Sequence, residues 1–551
     1  MRKNYFLLAL AMVLPVLMMA ENAASPTPAV LPRPAEMTVG TGRFLLKNKM
    51  KMSIPSYPGD SIKTVAEAFA HTLEHTTGLR LASTDKEKKA HIRLALDAQL
   101  PAEGYRLQVS AADVRIEASK PAGFFYAFQT LKQLLPCNVM AEQPDPSVKT
   151  WSLPVVLITD APRFGWRGFM LDEGRHFFGK EEVKRVLDMM ATYKMNRFHW
   201  HLTEDQGWRL EIPKYPRLTE IGANRNSRVL GWGDTKPDGQ PYSGHYTRSD
   251  IQEIVAYARE RFIEIMPEID IPGHSQAAVA AYPTELACDP EVPHEVWLWQ
   301  GVSTDVINVA NPKAVQFAKD IIDELIELFP FGYIHMGGDE CPTQKWEKNE
   351  ACRAQLAALG STNFRDLQIN FYKQLQDYIL SKPADRQRKL VFWNEVLHGN
   401  TDRLHKDNIT IMAWVGADPA ALETARRGMD NILSPQIPYY INRRQAAGPD
   451  EPRSQGHGTE TVKAVYDYEP ARNVAPELLP RYTGVQANFW TEWVEEPSVL
   501  EYLMLPRLAA VAEAGWTPQN LRNYEDFLQR IRRNAPLYDL RGWNYGKHVM
   551  K

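Results

Sequence analysis

GFMLDEG at 168–174, KEEVKRVLDMMATYKM at 180–195 and NRFHWHLTED at 196–205 follow one another as strand, helix and strand. The first and third are short apolar runs ending in charge, as parallel strands buried on both faces do. The second repeats its apolar residues every three or four positions. SDIQEIVAYARERF (249–262) and IEIMPEIDIPG (263–273) repeat the alternation. Asn311 and Pro312 then form an N-cap and first-turn pair for a helix whose apolar face is Ala314, Ala318, Ile321, Leu325 and Leu328. GYIHMGGDE (332–340) reads as the fourth strand, and a helix is expected over 364–380. KLVFWNEV (389–396), NITIMAWV (408–415), NILSPQ (431–436) and VQANFWTEW (485–493) supply the later strands. Eight strands with intervening helices predict a (β/α)8 TIM barrel over 162–516, an α/β fold. A doubly wound sheet is the competing arrangement, but no glycine-rich phosphate fingerprint follows its first strand.

Upstream the pattern is different. SIKTVAEAFAHTLEHTTG (61–78) is helical and closed by Gly78, whereas HIRLAL, YRLQVS and DVRIEAS alternate as half-buried strands do. AGFFYAFQTLKQLLP (122–136) returns to a helical pattern. This mixed order predicts a smaller α+β domain at 25–158, and 517–551 is expected to form a helical tail packed on the barrel. Residues 1–20 carry Arg2 and Lys3 before an apolar run, and MAENAAS follows with small residues, so a signal peptide and a periplasmic or secreted location are expected. No later run is apolar enough for a membrane span.

The 551 residues carry a net charge of -3, which gives no footprint for nucleic acid. Four cysteines are too few for a disulfide framework; a Cys341–Cys352 bridge and four free thiols are both compatible with the spacing.

A barrel places its active site at the C-terminal ends of its strands. Those ends carry Asp172, Glu173 and Arg175; His199, His201, Glu204 and Asp205; Asp270 and His274; Asp339 and Glu340; Asn394 and Glu395; and Trp490 and Glu492. A rim rich in carboxylates, histidine, arginine and tryptophan suits glycoside hydrolysis, where one carboxylic acid protonates the leaving oxygen and another group stabilises the anomeric cation. Adjacent strand residues point to opposite faces, so Asp339 and Glu340 are not expected to act as a nucleophile and acid pair across one bond.

HMGGDE, with RGFMLDEGRHF, HLTEDQGW, MPEIDIPGH and NFWTEW, resembles glycoside hydrolase family 20, the β-N-acetylhexosaminidases. The resemblance implies an exo-acting retaining enzyme that takes glycans or oligosaccharides ending in β-linked N-acetylglucosamine or N-acetylgalactosamine. It implies no cofactor and no metal. The substrate's own acetamido oxygen would attack the anomeric carbon, giving an oxazolinium intermediate. Glu340 would be general acid and base, and Asp339 would orient the acetamido N–H as an anion while Glu340 holds a proton. Asp205 and His274 would support the acid, with Glu204 the neighbouring alternative to Asp205. Tyr440 would donate to the acetamido oxygen, with Asn442 close by where many members have Asp. Trp393, Trp414 and Trp490 would cage the sugar, and Arg175 and Glu492 would grip its hydroxyls. The long loops 206–247 and 275–310 would set specificity.

Structural readings compete with these. Trp393 and Trp414 suit barrel core, and His274 suits a satisfied loop histidine; His335 and Met336 read as packing, and His199 and His201 as barrel-end structure. His199-Trp200-His201 also resembles the His-x-His of metal-dependent barrel amidohydrolases, a reading that needs further ligands at later strand ends. A catalytically inactive sugar-binding protein is the remaining alternative.

Overall fold

A computed structural model describes residues 27–231 and 236–551; the expected signal peptide lies outside the described residues. The first unit is a seven-stranded mixed sheet of β1 (Glu36–Leu45), β2 (Met50–Ser53), β3 (Leu81–Ser83), β4 (Ile92–Leu96), β5 (Tyr105–Val109), β6 (Val114–Ala118) and β7 (Ser152–Asp160). Its order is β1-β7-β5-β6-β4-β2-β3. Helix α1 (Ser61–Thr77) ends where Gly78 turns left-handed at a φ of 71° and its N–H reaches back to the carbonyl of Glu74. Helix α2 (Pro121–Leu134) is buried from Gly123 to Leu131 because it lies between this sheet and the second unit. Phe125 meets Phe262 on one side and Tyr126 meets Trp516 edge-on at 5.1 Å.

The second unit is a closed barrel of eight parallel strands: β8 (Trp166–Asp172), β9 (Arg197–His201), β10 (Glu264–Glu268), β11 (Tyr333–His335), β12 (Lys389–Trp393), β13 (Ile409–Ala413), β14 (Asp430–Leu433) and β15 (Tyr482–Phe489). Helices α3 (Lys180–Thr192), α4 (Arg248–Arg259), α5 (Pro312–Leu328), α6 (Arg365–Leu380) and α7 (Ala417–Arg426) serve as crossovers. Asn311 caps α5 by accepting from the Lys313 N–H at 3.0 Å. The strands' outward residues join the helices in one large apolar core, whereas Met170, Met266, Val391, Trp393, Met412 and Ile432 fill the barrel's interior as a separate cluster.

One expectation needs correction, and one open alternative is decided. Between β12 and β13, residues 394–408 form three 3-10 turns instead of an α-helix. That connection is at the lower limit of a crossover, and its polar side chains hold it in turns: Asn394 accepts from the Trp414 N–H at 2.8 Å and the Asn400 N–H is held by Asp366 at 2.8 Å. The four cysteines are free thiols, so Cys341 and Cys352 are not bridged. Cys341 lies against Gly273, while the Cys352 thiol is directed to the Asn308 side chain at 3.4 Å.

The junction of the units centres on Asp160, at the end of β7. It accepts from the Tyr105 hydroxyl at 2.7 Å, the Trp516 indole at 2.9 Å and the Ala35 N–H at 3.0 Å, and pairs with the Lys194 ammonium at 3.2 Å. Neither charged side chain is exposed. Asp160→Ala therefore leaves a buried ammonium without its counter-charge and is expected to cost about 3–5 kcal/mol in urea unfolding. Asp160→Ala combined with Lys194→Met should recover much of that loss; a double variant no better than the single one would contradict this account.

Candidate active site

In the barrel's upper layer, Asp172, His201, Glu268 and His335 stand side by side in register on β8, β9, β10 and β11. Glu268 is wholly buried, so its charge has to be met by protein donors. His201 hydrogen-bonds it through Nδ1, His199 Nε2 and His335 Nδ1 each lie 2.8 Å away, and the Trp393 indole donates at 2.9 Å. Burial would raise Glu268, but the histidines hold it well below the usual carboxylate range. Burial would lower His201, yet Glu268 and Glu204 outweigh it and push it up to about 10.

The network continues to the rim through Glu204. His201 Nε2 meets Glu204 at 3.1 Å, and the other contacts of Glu204 are Arg175 at 2.8 Å and His274 Nδ1 at 3.0 Å. Burial raises Glu204, but Arg175 and His274 prevail and keep it strongly acidic. Asp205, expected to support His274, lies at 3.5 Å from the same Nδ1. Its oxygens are committed to the N–H groups of Gln276 and Ser303, both at 3.0 Å, so it ties the 275–310 loop under the site while Glu204 is the nearer partner. His274 is driven well above its ordinary range: burial opposes the charge, and Glu204, Asp205 and Glu340 override it.

Strand β11 stops at His335, so Asp339 and Glu340 lie on the following loop and the strand geometry expected to separate them does not apply. Backbone handedness separates them instead. Gly337, Gly338 and Glu340 have φ of 68°, 102° and 41°. A Cβ on Gly337 would lie 1.7 Å from the Asp270 carboxyl and one on Gly338 would meet the Tyr372 hydroxyl at 2.8 Å, so both positions require glycine. The turn sinks Asp339 to 9% side-chain exposure and leaves Glu340 at 43%, with His274 Nε2 3.5 Å from Glu340 and 3.9 Å from Asp339. Their proton affinities run opposite to the sequence expectation. The His274 hydrogen bond lowers Glu340, whereas burial, only partly offset by His274, raises Asp339 to about 6.

An aromatic wall faces these acids. Trp490, Tyr440 and Trp393 share the barrel's interior cluster, and the half-buried Trp414 stacks on Tyr440 at 5.8 Å and 9°. Trp393 is both core and wall: it is fully buried, and its ring meets Trp490 at 5.9 Å. Arg175 lies 5.0 Å over Trp490. Burial pushes Glu492 up to about 7 against the pull of Arg175, and the Arg175 Nε and Glu492 Oε2 atoms have no hydrogen-bond partner among the described residues. Asn442 is buried two residues beyond Tyr440. Of the remaining strand-end residues, Glu173 turns away to accept from the Tyr246 hydroxyl and the Phe178 N–H. Asp172 holds the Gly174, Arg175 and Thr491 N–H groups, which fixes the loop that carries Arg175.

Several of these His and carboxylate groups come close enough to hold a metal ion, among them His199, Glu268 and His335. The His-x-His pair is nevertheless a poor donor set. Both ring nitrogens of His201 face carboxylates and its proton affinity is high, so it is an imidazolium without a lone pair to give. His199 accepts at Nδ1 from the Gln486 amide at 3.0 Å and turns Nε2 to Glu268. The pair is spent on Glu268.

One member of this network, Glu268, was missed in the sequence, and another, Glu395, was placed on the rim without a role. Glu268 stands inside an apolar strand, and a carboxylate in a run buried on both faces is itself the signal that partners wait inside the barrel. Glu395 follows Trp393 on the rim, where it accepts from the Trp414 indole at 2.6 Å and is pushed up to about 8 by burial and the nearby Asp339.

Comparison with known proteins accords with this geometry. Residues 164–519 match the family model "Glycosyl hydrolase family 20, catalytic domain", and 27–161 match "Glycosyl hydrolase family 20, domain 2". A β-hexosaminidase of Porphyromonas gingivalis is 37% identical over 94% of this chain, which spans 64% of that protein. A β-hexosaminidase of Vibrio furnissii is 35% identical over 89% of this chain and 76% of its own length. The crystal structure of a GH20 exo β-N-acetylglucosaminidase from Vibrio harveyi, in complex with N-acetylglucosamine, superimposes with a TM-score of 0.83 at 33% identity, covering 96% of this chain and 80% of that one. With both its barrel and its preceding domain matched, the chain belongs to glycosyl hydrolase family 20.

Proposed function

We propose that this protein is an exported, exo-acting, retaining β-N-acetylhexosaminidase that releases terminal β-linked N-acetylglucosamine or N-acetylgalactosamine from glycans by substrate-assisted catalysis. The observation that carries the reading is the divergence of Asp339 and Glu340: one acid lies sunk beside the aromatic wall, the other stands half-exposed against His274. One sugar offers an atom to each. Its acetamido N–H reaches down to Asp339 between Trp393, Trp414 and Tyr440, and its glycosidic oxygen meets Glu340. The acetamido oxygen attacks the anomeric carbon, Glu340 protonates the departing oxygen, and the anomeric bond breaks to give the oxazolinium ion. Water, deprotonated by Glu340, then reopens it with configuration retained.

The other rim carboxyls favour this route over a protein nucleophile. Glu395 is held at about 8 and tied to the Trp414 indole, and Glu492 is raised to about 7 and lies in the field of Arg175, so neither stands as a fully ionised, unengaged carboxylate at neutral pH. Arg175 and Glu492 have atoms left for sugar hydroxyls. A sugar seated over Glu340 takes away the water that now reaches it, and burial raises a carboxylic acid, which restores the proton that the acid step needs. Export is supported by the N-terminal sequence. No helix among the described residues is long and apolar enough to cross a membrane.

An aryl N-acetyl-β-glucosaminide should be hydrolysed at least about 10³-fold faster than the corresponding plain glucoside, because proximity of an internal nucleophile is worth that much or more. Equal rates would refute substrate assistance. Glu340→Gln should lose about 10²–10⁴-fold on substrates with poor leaving groups and far less on activated aryl substrates. Asp339→Asn should lose activity on both, and identical leaving-group dependence of the two variants would refute the division of roles. Asp339 must be an anion to act, so kcat/KM should fall as pH drops through about 6, the value to which burial raises it. An acid limb at the ordinary Asp value of about 4 would contradict that assignment.

A further inference from the structure

Beneath the Gly337-Gly338 turn lies a carboxyl group that the mechanism above does not use. Asp270 is 1% exposed and its backbone is pinned from two sides: its N–H donates to the Thr203 hydroxyl and its carbonyl accepts from the Ser275 hydroxyl, both at 3.0 Å. Its Oδ1 accepts from the Gly338 N–H at 3.1 Å. Its Oδ2 has no hydrogen-bond partner among the described residues, and neither has Asp339 Oδ1. Asp270, His274 and Asp339 offer side-chain atoms that all lie within 4.8 Å of one another. Two buried carboxylates so placed cannot both be ionised, and each has an oxygen unsatisfied. One shared proton answers both conditions.

We propose that Asp270 is a positioning residue that keeps this proton and donates it to Asp339, so that Asp339 is locked in orientation and held as the anion that receives the acetamido N–H. The assignment rests on the role given to Asp339 above. The surroundings decide which acid keeps the proton. Around Asp270 stand Asp339 and Cys341 from the loop after β11, Glu268 from β10, Glu204 and His201 from the β9 end, His274 from its own loop, and Tyr372 from α6, whose hydroxyl donates to the Ile271 carbonyl. Burial and then Asp339 raise Asp270 far above the carboxylate range, with Glu268 and Glu204 adding to the effect and only His274 opposing it. For Asp339, His274 is the leading influence against burial. The two glycines serve this contact, since a Cβ on Gly337 would lie 1.7 Å from Asp270 Oδ1.

The test compares Asp270→Asn, whose amide still donates, with Asp270→Ala, which does not, on an activated aryl N-acetylglucosaminide. The alanine variant should lose about 10²-fold in kcat with little change in KM, as when one preorganised donor is removed. Its acid limb should move to higher pH, because the Asp339 anion has lost its donor. The asparagine variant should stay within about 10-fold of wild type and keep the acid limb in place. Infrared difference spectra of wild type against Asp270→Asn should show a neutral-carboxyl C=O band only in the wild type, a readout that holds even if the variants turn over slowly. Equal losses in the two variants, wild-type kcat in the alanine variant, or no such band would overturn the proposal. Wild type that ignores the acetamido group would instead overturn the function proposed above, so the two failures are distinguishable.

Discussion

A single carboxylate without access to water organises the top of this barrel. Glu268 stands on the inner face of β10 at zero exposure, where an unpaired charge is prohibitively costly. Three histidines and an indole from β9, β11 and β12 turn toward it, and none of them is then free to adopt another orientation. His201 becomes a cation between two acids, and its second nitrogen fixes Glu204. Glu204 in turn fixes both Arg175 and His274. Arg175, the histidine beside Glu340 and the Trp393 wall thus hang from one buried charge, in a chain of alternating sign. Removing the charge at its centre would leave the buried His201 cation without one of its two acids and the Trp393 indole without its acceptor, which is why these pairs are better regarded as one unit than as separate contacts.

That alternation also explains the inverted proton affinities of Asp339 and Glu340. His274 carries positive charge because Glu204 and Asp205 lie behind it, and Glu340, in front, is lowered as a result. Asp339 gains less from the same cation, at 3.9 Å, and loses more to burial. The family resemblance already set His274 beside Glu340; what only the structure supplies is that the buried acids behind His274 hold it charged and so lower Glu340.

Much of the architecture was legible because its signals are local. Strand and helix periodicity located all eight barrel strands, and the Asn311-Pro312 cap and the Gly78 stop named the ends of two helices. What was illegible depends on three-dimensional pairing. β11 is only three residues long because the glycines bend the chain just beyond Met336, although Met336 and Gly337 still hydrogen-bond to β12, and nothing in GYIHMGGDE marks where regular pairing ends. The choice between Glu204 and Asp205 turns on half an ångström and on backbone donors from residues 276 and 303, more than 70 positions away. The Cys288 and Cys352 thiols come together as neighbours, whereas the spacing had drawn attention to Cys341.

The same folding logic accounts for strain at the two residues that face each other across the acid. His274 and Glu340 both have left-handed backbones, at φ of 46° and 41°, where side chains with a Cβ are disfavoured. At Gly337 and Gly338 the handed turn is met by removing the side chain, but at 274 and 340 the proposed chemistry needs the imidazole and the carboxyl. Each such residue costs on the order of 1–3 kcal/mol, so surrounding contacts must over-determine it. For His274 those contacts are Glu204 and Asp205 behind it, and for Glu340 it is His274 itself. Strain at the rim is therefore held in place by the buried charge network below it, and the network's depth in the barrel lets it bear that strain without moving.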